Sequence, residues 1–101
     1  MDRRYKPLSP VEQLQQRIAL LGQIQQQPDM PLEQVVRQLR TGLHLTVAEY
    51  ARLTGVAART IQAIEAGTAN PSVNTIYRLL QPFGLTLGVV AAVARDGQTG
   101  Q

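Results

Sequence analysis

Residues 45–67, LTVAEYARLTGVAARTIQAIEAG, leave the chain few ways to fold. Thr46 offers a side-chain oxygen to a helix start and Glu49, three residues on, completes a capping box, so a helix is expected from about Val47. Gly55 lies between two apolar-periodic runs, where the chain must turn sharply with a positive φ that glycine adopts cheaply; the first helix therefore stops near Thr54. Ala51, one turn earlier, carries only a methyl group and lets a second helix cross close above it. Tyr50, Val56, Ile61 and Ile64 supply the buried side of the pair.

The second helix keeps Arg59, Thr60 and Gln62 as its polar residues, interleaved with Ala58, Ala63 and Ala66. A helix whose exposed face carries small residues and an arginine fits the width of the DNA major groove. Two short helices joined at Gly55 with this patterning form a helix-turn-helix.

The flanking segments read as further helices. Ser9, Pro10 and Glu12 form a helix start with proline in the first turn, and a helix is expected to about Gln27. Val11, Leu14, Ile18, Leu21 and Ile24 recur at three- and four-residue steps and make one stripe. The simplest use of that stripe is packing on the domain that follows, and pairing with a partner chain is the alternative. Pro28 and Pro31 break the helix, and a second one is expected from about Leu32 to Thr41, ended by Gly42, with Val35, Val36 and Leu39 inward. His44 has no second imidazole or cysteine near it and reads as a turn residue. After the loop at 67–71, Ser72 or Asn70 can cap a helix with Val73, Ile76, Leu79 and Leu80 on its buried side, stopped by Pro82 and Gly84.

Residues 85–93, LTLGVVAAV, differ in kind. The β-branched, glycine-interrupted alternation favours a strand, with helix as the alternative. In a chain that is otherwise helical, that strand has no ladder partner in the same molecule, so the same strand of a second copy is the expected partner. Leu85, Leu87, Val89, Val90 and Val93 are then the dimer interface. The expected organisation is a basic arm and accessory helix at 1–30, the helix-turn-helix domain at 31–84, the dimerisation strand at 85–94 and a polar, disordered tail at 95–101. Arg3, Arg4 and Lys6 around Tyr5 are read as a frayed terminus or a phosphate-seeking arm.

Composition narrows the function. The chain has 101 residues, a net charge of +3 and a sequence pI near 10.0, carried almost wholly by arginine because Lys6 is the sole lysine. That balance suits nucleic acid. Without cysteine there is neither disulfide nor thiolate metal site. Seven scattered acids and one histidine provide no paired carboxylates, nucleophile with base, or metal cluster, so no enzyme, cofactor, catalytic residue or metal is expected. The longest apolar run is too short and too interrupted to span a bilayer, which leads to the expectation of a soluble, cytoplasmic protein.

From about residue 32 to 84 the chain resembles the phage-repressor and Cro-like helix-turn-helix family, also called the xenobiotic-response-element family. The likeness is carried by LRTGLHLT at 39–46, the central stretch, IEAG at 64–67 and NPSVNTIYRLLQPFGL at 70–85. It implies a mainly α, lambda-repressor-like domain, here with an extra N-terminal helix and one C-terminal strand paired across a homodimer, acting on a palindromic operator in double-stranded DNA. It further implies Ala58, Arg59, Gln62 and Ala63 at base edges. Thr46, Thr60, Thr68, Asn70, Ser72 and Asn74 fall at phosphates, and Arg40 with Glu65 forms a structural ion pair. One departure is Val47, where many members carry a glutamine that braces the second helix and touches a phosphate. QPFGLTLGVV at 81–90 is similar to the tail of HipB-type antitoxins, which repress their own operon and hold a kinase-like toxin partner. A stand-alone repressor and a protein-interaction module that retains the fold without specific DNA binding are the alternatives.

Overall fold

A computed structural model describes residues 9–92, and these form five α-helices and one 3₁₀ turn. The helices are α1 Pro10–Gln25, α2 Leu32–Gly42, α3 Val47–Thr54, α4 Ala58–Glu65 and α5 Val73–Leu80, followed by the 3₁₀ turn Gln81–Phe83. The basic arm, Val93 and the tail named above lie outside the described residues.

Local chemistry sets most boundaries. Ser9 and Glu12 close a capping box on α1, as Thr46 and Glu49 do on α3, and Ser72 caps α5 by accepting from the Thr75 N–H. Gly55 ends α3 in the left-handed region at φ 77°, with its N–H donating 2.8 Å to the Ala51 carbonyl. The expected stop at Gly42 has a different cause. Gly42 is the last residue of α2, while the left-handed residue is His44 at φ 58°. The Leu45 N–H reaches back to the Arg40 carbonyl and that of His44 to Thr41, a Schellman motif with histidine in the place glycine usually takes. Gly42 serves packing instead, since a Cβ there would stand 2.7 Å from the Leu20 side chain.

The core is one cluster to which every helix contributes: Ile24 from α1, Val35, Val36 and Leu39 from α2, Tyr50 from α3, Ile61 and Ile64 from α4, and Ile76, Leu79 and Leu80 from α5, joined by Val56 and Phe83. Tyr50 is fully buried, donates 2.7 Å to the Leu79 carbonyl and packs against Phe83 at a ring-centroid distance of 6.0 Å.

Three expectations require correction. The α1 stripe does not pack as a whole. Ile24 is buried and Leu21 half-buried, but Val11, Leu14 and Ile18 are 64, 58 and 61% exposed. The face of α1 that meets the body is rotated toward Arg17, Leu20 and Ile24; Arg17 donates 3.0 Å to the Pro82 carbonyl and lies 5.5 Å over the Phe83 ring. Val73, assigned to the buried side of α5, is 59% exposed; it is the first residue of that helix, and the buried side begins one turn later at Ile76. Residues 85–92 form neither helix nor strand, and the alternation is used inward only by Leu85 and Leu87, which pack on the core, whereas Val89 is fully exposed and Val90 about half exposed.

Candidate nucleic-acid interface

The α3–turn–α4 unit is held from within. Ala51 packs on the core, the Thr54 hydroxyl donates 2.8 Å to the Tyr50 carbonyl, and Thr54 Oγ1 in turn accepts 3.2 Å from the Val56 N–H. Val47, where the family resemblance implies a glutamine, is half-buried against the core, so its methyl groups serve packing. Ile61 and Ile64 anchor α4 from beneath.

Across α4 from these isoleucines, Arg59 and Gln62 are exposed, with Ala58 and Ala63 half-exposed beside them. At 100° per residue the four occupy one arc of the helix. Ala66 is exposed on the same arc. The N-cap of α4 is Ala57, which supplies no side-chain hydrogen bond, so the first-turn N–H groups have no capping oxygen from it. An exposed arc with one guanidinium, one carboxamide and otherwise methyl groups can bond base edges and contact thymine methyls without steric obstruction.

The orientation of α4 is set at its far end. Arg40, on α2, forms a bidentate pair with Glu65, Nε to Oε2 at 2.7 Å and Nη2 to Oε1 at 2.9 Å, while its Nη1 donates 3.2 Å to the Leu45 carbonyl. The side chains are 20 and 11% exposed. One guanidinium thereby ties the end of α2, the turn before α3 and the last residue of α4 together, and the hydrogen bond to Glu65 raises the Arg40 pKa still further above its ordinary range.

The residues expected at phosphates occupy three places. Thr46 caps α3, and its capping role depresses the Glu49 carboxyl pKa, chiefly through the Thr46 backbone N–H. Thr60 is half-buried on α4. Thr68, Asn70, Ser72 and Asn74 are exposed along the loop and first turn after α4, where Thr68 donates 3.3 Å to the Ala63 carbonyl and Ser72 caps α5. Arg52 was passed over in the sequence; it is exposed in the last turn of α3 and a guanidinium is a stronger phosphate ligand than a hydroxyl. Its signal was a basic residue three positions before Gly55. Among the described residues no group of histidine, cysteine and acid side chains could hold a metal ion, and no helix is long and apolar enough to cross a membrane.

This geometry defines a helix-turn-helix DNA-binding domain. The chain matches the family model described as Helix-turn-helix over residues 36–90, more than half its length, and belongs to that family, the phage-repressor and xenobiotic-response-element type of DNA-binding transcription regulator. No curated protein and no solved structure matches it.

Proposed function

We propose that the protein is a sequence-specific, dimeric repressor that reads a palindromic operator with α4. The observation that carries this is the arc of α4: Arg59 and Gln62 stand outward and exposed on a helix whose opposite side is immobilised by Ile61, Ile64 and the Arg40–Glu65 pair. Arg59 bonds guanine bidentately, Gln62 reads one turn further on, and Ala58 and Ala63 meet thymine methyls. Thr46, Thr60, Thr68, Asn70, Ser72 and Asn74 supply phosphate contacts that set register. Arg59→Ala should weaken operator binding by about 1–3 kcal/mol and relax specificity at one base pair, measured by mobility shift on the protein's own promoter and on single-base variants. Equal loss on operator and random DNA would make Arg59 a phosphate ligand, and unchanged binding to both would refute the role.

The dimer in this proposal forms through residues 85–93. Among the described residues, 86–92 make no backbone hydrogen bond to another backbone group, so a pairing strand from a second copy meets free donors and acceptors. In the same proposal a kinase-like toxin is a protein partner, supported by the likeness of 81–90 to HipB-type tails. Co-purification with the product of the adjacent gene tests that partner; a stand-alone repressor yields the homodimer alone.

A further inference from the structure

The face that α1 turns to the body touches two distant parts of the chain. Arg17 donates 3.0 Å to the Pro82 carbonyl and lies 5.5 Å over the Phe83 ring, so one guanidinium holds the 3₁₀ turn from which residues 85–92 depart. One turn along the same face, Leu20 covers Gly42 so closely that a Cβ there would stand 2.7 Å from its side chain. Ile24, a further turn on, is buried in the core. At steps of three and four residues, Arg17, Leu20 and Ile24 form a single row, which joins the end of α2 to the root of the C-terminal segment.

Each end of this row is tied to a part that the proposed function uses. Two residues before Gly42, Arg40 holds Glu65 at the end of α4 and the Leu45 carbonyl before α3. At the other end, Pro82 and Phe83 precede Gly84, whose left-handed φ of 72°, with the Leu85 N–H donating 3.2 Å to the Leu80 carbonyl, aims the segment that follows. We infer that α1 is a strut fixing the exit of the C-terminal segment relative to α4, with Arg17 as its positioning residue, and that it sets how strictly the protein measures the separation of operator half-sites. The inference rests on the dimer proposed above: once two recognition helices are joined through residues 85–93, the angle at 82–84 becomes the distance between them. One added base pair moves a half-site by ~3.4 Å and turns it by roughly a tenth of a helical turn, which a rigid joint cannot follow. The helix α1 precedes the matched residues 36–90, so the strut is no part of the family's own domain.

The test uses the full chain and duplexes that carry the half-sites of its own operator at their natural spacing, one base pair closer and one base pair further apart, with a single half-site as reference. Wild type should prefer one spacing. Arg17→Ala should leave affinity for the single half-site unchanged and shrink the spacing preference at least ~3-fold, the scale of an exposed cation–π contact. Arg17→Lys, which keeps a cation and a donor, should recover part of it. Because Arg17 is exposed, circular dichroism of both variants should match wild type. A merely structural role would weaken binding to every duplex alike and leave the preference as it was; that result, or a preference and affinity both unchanged, would overturn the strut. A wild-type dimer indifferent to spacing would overturn it as well. A wild type that scatters as one chain would instead refute the dimer itself, and the strut's role with it.

Discussion

Tyr50 carries a hydroxyl into an apolar core, where it is fully buried, and the Leu79 carbonyl at 2.7 Å is what makes that tolerable. Burial first, and the charge of Glu65 second, push its pKa well above the ordinary tyrosine value of 10.0. The folded state therefore favours the neutral phenol, and the linked stability is fully present below pH ~10 and lost as pH rises beyond it. Tyr50→Phe should cost about 1 kcal/mol at neutral pH and flatten the alkaline limb of a stability profile followed by urea titration. A tyrosine in the middle of an apolar pattern is legible in the sequence as buried; that its hydroxyl reaches a carbonyl 29 residues away is not. His44 shows a similar limit. As a turn residue it was legible, but its left-handed backbone depends on the Leu45 N–H finding the Arg40 carbonyl, a bond set by how α2 ends against α3.

Among the elements, α4, the proposed reader of bases, is the least self-sufficient, at eight residues without a side-chain N-cap. A helix that short is marginal in isolation, so its angle is imposed by the isoleucines beneath it and by the Arg40–Glu65 pair at its end. Glu65→Gln removes the charge but keeps the shape, leaving a guanidinium that is only 20% exposed without its carboxylate. The expected loss is about 1–3 kcal/mol, between the values for exposed and fully buried pairs, together with weaker operator binding at temperatures where the protein remains folded. Calorimetry alongside mobility shifts separates the two effects; an unchanged melting temperature would show that the pair bears no load. The helix α1 makes the complementary point. Its periodicity announced an amphipathic helix, yet two neighbouring stripes at similar spacing competed for the body, and only docking shows that Leu20 beside Gly42, and Arg17 on Phe83, took precedence.

For the whole molecule, residues 85–92 set the question of assembly. Leu85 and Leu87 hold the start of this segment on the core, and beyond them Val89 and Val90 stand exposed. An apolar segment with free backbone groups leaves an unfinished surface, which is the physical ground for proposing that a second copy completes it. Val90→Lys should leave the monomer folded, since the side chain is already about half exposed, while lowering the mass measured by light scattering at low concentration to that of one chain and removing most operator affinity. Recognition helices in successive major grooves stand about 34 Å apart, so the operator half-sites should be ~10 base pairs apart, a spacing that footprinting can measure. A Val90→Lys protein that still scatters as a dimer would move the interface away from this segment.

The sequence by itself determined the helices and their order, because caps, glycines and apolar spacing act over one to four residues. Thr46 with Glu49, Gly55, and the Ile61–Ile64 side of α4 all belong to that range. It also singled out the outward positions of α4, since a helix anchored by those isoleucines has only one other side to present. Tertiary structure decided which stripe of α1 meets the body, that Val73 stays in solvent, and how far residues 85–92 follow the core before leaving it. Each of these outcomes is a competition between apolar surfaces of similar size for the same limited core, and local spacing carries no information about which one docks first in space.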